Sequence, residues 1–77
     1  MPISAPADQT LASTIRRLRL ERSQTQEDLA YSAGITVAAL ARIERGQANP
    51  RWTTVRCIAS ALEIGMDELG EAVESAG

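Results

Sequence analysis

Residues Gln26–Gly46 read QEDLAYSAGITVAALARIERG. Two short helical patterns lie in this stretch, hinged on Gly34, which follows the small residue Ala30 by four positions. Leu29, Ala30 and Ala33 form the inward side of the first pattern, and Leu40 and Ile43 that of the second. Thr25 precedes the first pattern with a hydroxyl suited to its free amides, and Asp28 stands where a capping box takes an acidic side chain. Glu27 and Asp28 also suit the positive end of a helix. Gly34 can adopt the left-handed conformation that ends a helix without a Cβ clash. Thr36 restarts the helix as its N-cap, and Ile43-Glu44-Arg45-Gly46 stops it, with an arginine just inside the stop. Helices joined this closely cross steeply, and Ala30 is small enough to allow the crossing.

Outward from this centre the pattern stays helical. Met1 to Gln9 holds two prolines and no periodicity, so a flexible arm is expected over residues 1–9, with one domain over residues 10–74. A first helix is predicted from about Thr10 to Arg22, with Leu11, Ile15, Leu18 and Arg22 on one stripe, Arg19 on its border and Leu20 opposite. Gln47-Ala48-Asn49-Pro50 reads as a loop. A fourth helix follows from Trp52 to Leu62, with Trp52, Val55, Ile58, Ala59 and Leu62 on one side. A fifth begins near Met66 and turns Met66, Leu69 and Val73 inward. Five short helices without a strand or an internal repeat define an all-α domain.

Composition narrows the function. Seventy-seven residues allow one modest core, which supplies only about 3–5 kcal/mol, so tight helix packing or an oligomer must add to it. Cys57 is the single cysteine, which leaves no internal disulfide or cysteine-based zinc site. An inert thiol is the reading for Cys57, since histidine is absent altogether. Without histidine the commonest general base and metal ligand are missing. No nucleophile sits beside a base, and no glycine-rich phosphate cradle is present. We therefore expect no enzyme, no metal, no cofactor and no small-molecule ligand. The absence of a long apolar run and of a signal-peptide pattern points to a cytoplasmic protein without a membrane partner. The net charge of −2 is polarised along the chain. All eight basic residues are arginines between Arg16 and Arg56, where they meet only Glu21, Glu27, Asp28 and Glu44. Asp8, Glu63, Asp67, Glu68, Glu71 and Glu74 lie outside that window without a base among them. What a docked partner feels is the local charge, because salt screens charges beyond roughly 8 Å.

Two helices around a glycine turn form a helix-turn-helix, whose second helix can enter the major groove of DNA. The surrounding landmarks resemble the phage-repressor/Cro-type (XRE) family over Leu11–Leu69. They are Ile15-Arg16-Arg17-Leu18-Arg19, Thr25-Gln26-Glu27-Asp28-Leu29-Ala30, Gly34-Ile35-Thr36, Ile43-Glu44-Arg45-Gly46, Pro50, Ala59 with Leu62, and Met66-Asp67-Glu68-Leu69. The resemblance implies a compact five-helix, lambda-repressor-like domain that binds double-stranded DNA. By the same resemblance Gln26 opens the second helix facing a phosphate, and Thr36 contacts a phosphate or a base at the start of the third. Val37, Ala38, Ala41 and Arg42 line the groove side. Arg45 and the Gln47–Asn49 loop approach the backbone, and Arg51 reaches a phosphate or the minor groove. Arg19 and Glu44 match a pair that joins the first helix to the third. An acid facing phosphates is unfavourable, which also argues for that pairing. Ile64, Met66 and Val73 are placed to extend into a homodimer seam.

The departures from the family pattern are informative. Val37 and Ala38 replace polar readers and can only touch thymine methyls, which makes Arg42 the main candidate for guanine O6 and N7. Gln24 stands where an apolar residue is usual, Ser23 where glycine is common, and Arg51 where a capping serine is frequent. The function these features imply is a sequence-specific transcriptional regulator on a palindromic operator. With no second domain expected in this chain, control would come from concentration, cooperative binding or a separate partner. The alternative is a protein-interaction module, antitoxin-like or an adaptor, that keeps the fold with little DNA affinity.

Overall fold

The computed structural model describes residues 9–76, and these form five helices with no strand among them: α1 (Gln9–Glu21), α2 (Gln26–Ala33), α3 (Val37–Glu44), α4 (Trp52–Ala61) and α5 (Met66–Ala76). The all-α class read from the sequence is thereby shown. The arm expected over residues 1–9 lies outside the described residues except for Gln9. That residue is already helical, and its Nε2 donates to the Gly46 carbonyl at 3.1 Å.

Each turn is closed by local chemistry. Thr25 Oγ1 accepts from the Asp28 amide at 3.0 Å, and the Thr25 amide donates to Asp28 Oδ2 at 3.0 Å. This reciprocal box satisfies two otherwise free donors at the start of α2. Gly34 ends that helix at φ 74°, which allows the Ile35 amide to bond back to the Ala30 carbonyl at 3.0 Å. Thr36 then caps α3 by accepting from the Ala39 amide at 3.0 Å. Helix α3 ends at Glu44, with Arg45 as its cap and Gly46 left-handed at φ 72°.

All five helices feed one core. Ile15 from α1, Leu29 from α2, Leu40 from α3, and Ile58 and Leu62 from α4 and its cap are fully buried, and Leu69 joins them from α5. Burying a side chain of this size stabilises by about 1.5–3 kcal/mol, so this cluster supplies most of the drive to fold. Helix α2 packs on α3 and α4, α1 on α3 and α5, and α4 on α5. The arginine-bearing α3 and the acidic α5 therefore dock on different neighbours, with only α1 in common.

Three sequence expectations are corrected. Trp52 does not face the core and is 64% exposed. It is the first residue of α4, beyond the level at which the helix is surrounded, and its ring borders an open groove against α5. Arg22 does not continue the apolar stripe of α1. It lies past the helix end, exposed overall, and its Nε donates to the Leu62 carbonyl at 2.9 Å. That bond satisfies a free carbonyl at the end of α4. The buried face of α1 is also wider than one stripe. Ala12, Thr14 and Arg19 are buried beside Ile15 and Leu18, while Leu11 is only half-buried. The cause is that α1 is covered from two sides, by α3 and by α5.

Candidate nucleic-acid interface

Helix α3 divides cleanly by face. Leu40, Ile43 and Glu44 are buried, whereas Thr36, Val37, Ala38, Arg42 and Arg45 are exposed and Ala41 is half-buried. Positions 37, 38, 41, 42 and 45 share one side of a 3.6-residue helix, so the exposed residues make a continuous strip. Val37 and Ala38 bring no hydrogen-bonding group to it. Among the described residues Arg42 forms no side-chain hydrogen bond or ion pair, which leaves its guanidinium available to an outside acceptor.

The margins of the strip carry polar groups in defined states. Gln26, the first residue of α2, is half-buried, and its Nε2 donates to Glu44 Oε1 at 3.1 Å. At the far end of α3, Arg45 Nε donates to Gln47 Oε1 at 3.1 Å, with both residues exposed. The Gln47 amide returns to the Arg42 carbonyl at 2.9 Å, which folds the loop back onto the helix end. Asn49 is exposed and is held by a contact within the chain. Arg51 is the N-cap of α4, exposed, and makes no capping bond with its side chain. An arginine there offers the first amides of α4 no side-chain acceptor.

Behind the strip lies a buried ion pair. Arg19 Nε donates to Glu44 Oε2 at 2.8 Å and its Nη2 to Glu44 Oε1 at 3.1 Å, a two-toothed contact. Arg19 Nη1 also donates to the Gln24 carbonyl at 2.8 Å. The side chains of this pair are 8% and 2% exposed, so its charges are removed from any surface field. Sequence reasoning had no signal for the Gln26–Glu44 bond, which spans 18 positions and joins two different helices.

The second candidate surface lies on the other side of α1. Leu11, Trp52, Val55, Met66, Leu69 and Val73 line an open groove of about 340 Å³ between α1, α4 and α5. Met66 and Val73 are half-buried in it, and Ile64 is half-buried nearby against the core. Among the described residues, no group of three or more acids and cysteines is arranged to hold a metal ion, and no helix is long and apolar enough to cross a membrane.

Residues 10–72 match a family profile described as "Helix-turn-helix domain". The HTH-type transcriptional regulator DdrOP3 of Deinococcus deserti is 39% identical over 67 residues, covering 87% of this chain and 52% of the relative. The immunity repressor protein of Bacillus phage phi105 is 40% identical over 55 residues, covering 71% of this chain and 38% of the relative. The chain thus spans about half the length, or less, of these two relatives. Among solved structures, the restriction-modification controller protein C.Esp1396I, as a tetramer in complex with its 35 base-pair operator, superposes with a TM-score of 0.88. It is 26% identical, and the match covers 95% of this chain and 96% of that one. Family and fold are those of DNA-binding regulators and not of enzymes.

Proposed function

Since the chain belongs to the helix-turn-helix family of phage-repressor/Cro (XRE) type, we propose that it is a sequence-specific transcriptional regulator, with α3 seated in the major groove. The observation that carries this reading is the uncovered strip of α3, with the Arg42 guanidinium unengaged on it. Residues 10–74 are the DNA-binding domain in this reading, and catalysis has no part in it. Val37, Ala38 and Ala41 meet base edges by apolar contact and Arg42 by hydrogen bonds. Gln26, Thr36, Arg45, Gln47, Asn49 and Arg51 lie along the margins and contact the backbone.

The chain binds as a homodimer, with its partner copy on the Trp52–Met66–Val73 groove and Ile64 at the edge. The apolar lining of that groove supports this seam, as does the tetrameric state of the similar controller protein on its operator. Two copies then address half-sites about 34–36 Å apart on one face of a palindrome. The protein works where its DNA is, in the cytoplasm.

The test is fluorescence anisotropy on duplexes selected from a random pool, repeated at several salt concentrations. The expected result is an affinity that falls linearly in log–log form as salt rises, because phosphate contacts release counterions. An absence of affinity at low salt, or one indifferent to salt, overturns DNA binding and favours an interaction module.

A further inference from the structure

We propose that Glu44 is a positioning residue for the phosphate contact at the start of α2. This rests on the DNA-binding reading above. Its buried carboxylate is shared. Oε2 accepts from Arg19 Nε at 2.8 Å, while Oε1 accepts from both Arg19 Nη2 at 3.1 Å and Gln26 Nε2 at 3.1 Å. The Gln26 side chain is therefore held before any duplex arrives. An amide nitrogen carries two N–H groups, so with one donated to Glu44 the other is turned away from the carboxylate and free for a phosphate oxygen. A free glutamine loses rotamer freedom when it makes such a contact, and a side chain already anchored loses less.

Arg19 completes the device in two ways. Its Nη1 bond to the Gln24 carbonyl, at 2.8 Å, fixes the backbone two residues before Gln26. The segment entering α2 is thus gripped through its main chain by Arg19 and through its side chain by Glu44. The guanidinium also neutralises the carboxylate, so that no net negative charge lies behind the place where a phosphate docks. Glu44 is the last residue of α3, the helix that carries Arg42. The backbone anchor and the base reader are in this way set in register by one hydrogen bond.

A thermodynamic cycle tests the proposal. Glu44→Gln alone would leave the Arg19 charge buried and endanger the fold. The apolar double replacement R19M/E44L removes both charges together, an exchange that buried pairs often tolerate. Anisotropy on operator and on scrambled duplex compares wild type, Q26A, R19M/E44L and the combined variant, with melting curves for each. We expect Q26A and R19M/E44L each to weaken both duplexes by about tenfold or more, the lower end of the range of one hydrogen bond to a charged group. Adding Q26A to R19M/E44L should cost less than about twofold more. The salt slope should stay as in wild type, because an amide displaces no counterion. If R19M/E44L does not melt cooperatively, E44D replaces it, since its shorter arm keeps the charge on Arg19 and withdraws the oxygen from Gln26. A Q26A penalty of equal size in both backgrounds, in a wild-type protein that binds DNA, overturns the positioning role alone. Loss of all salt-dependent binding in wild type overturns the DNA reading, and this one with it.

Discussion

Arg42 and Arg51 are both exposed arginines without a side-chain acceptor among the described residues, and the proposed reading gives them different work. Arg42 stands within the α3 strip, so Arg42→Ala should cost about 1–3 kcal/mol on the operator and relax preference at one base pair, leaving random duplex nearly unaffected. Arg51 stands at the cap of α4, outside the strip, and Arg51→Ala should weaken operator and random duplex alike and lower the salt slope by about one. Competition assays with both duplexes separate the two, and identical behaviour would show that one assignment is mistaken. Backbone conformation supplies another residue-level expectation. Ser23 has φ 55° and Glu63 φ 62°, left-handed values that disfavour a Cβ. Ser23→Gly should raise stability by up to about 1 kcal/mol despite the greater freedom of glycine in the unfolded chain. A lower melting temperature would mean that the hydroxyl holds the turn. The family resemblance pointed to glycine at position 23, and the positive φ gives its physical reason. The bond from Gln26 to Glu44 was not legible in the same way, because no periodicity within one helix records which side chain of another helix will arrive.

Helix boundaries were legible where the controlling chemistry is local. Thr25, Asp28, Gly34 and Thr36 act within a few residues of themselves, and the limits of α2 and the start of α3 follow from them. Which face of a helix is buried depends instead on how many neighbours cover it. Helix α1 lies between α3 and α5, so Thr14 and Ala12 are buried beyond any single stripe. Trp52, at the uncovered first turn of α4, shows the opposite error. The caps also make the stability depend on pH. Bonds from the Thr25 amide, and next from its hydroxyl, hold the Asp28 carboxyl below its ordinary value of 3.8. A carboxyl whose folded pKa is depressed contributes stability above its unfolded value, and that contribution fades as pH falls through the folded one. Thermal melts from pH 6 down to about pH 2 should therefore show a shallower acid loss in Asp28→Ala than in wild type. Parallel curves would deny the capping box a part in acid unfolding. Thr36→Ala, which removes the acceptor for the Ala39 amide, should cost about 1 kcal/mol of stability.

Taken as a whole, the molecule separates its charges. Arg42 and Arg45 lie in α3 and at its cap and Arg51 at the start of α4, while α5 carries Asp67, Glu68, Glu71 and Glu74 and packs on α1 and α4. A net charge of −2 is therefore compatible with a basic face, since a duplex on α3 meets the local field and not the sum. The described residues measure 37 × 24 × 20 Å, and in the proposed reading a single copy covers one half-site, so that a palindrome calls for two. The groove with Trp52 on its rim makes that association directly observable, because Trp52 is the only tryptophan and 64% exposed. If a second copy seats there, the indole passes from water into an apolar surrounding as the dimer forms. Its emission should then shift to shorter wavelength with rising protein concentration, along the same curve as the mass found by sedimentation equilibrium. Val73→Asp, which puts a charge among the groove's apolar side chains, should move both curves to higher concentration by at least about tenfold, a penalty typical of an unpaired charge in an interface core. Should the mass double while the emission stays fixed, the two copies meet elsewhere, and the spacing of the two α3 strips would have to be sought from that other seam.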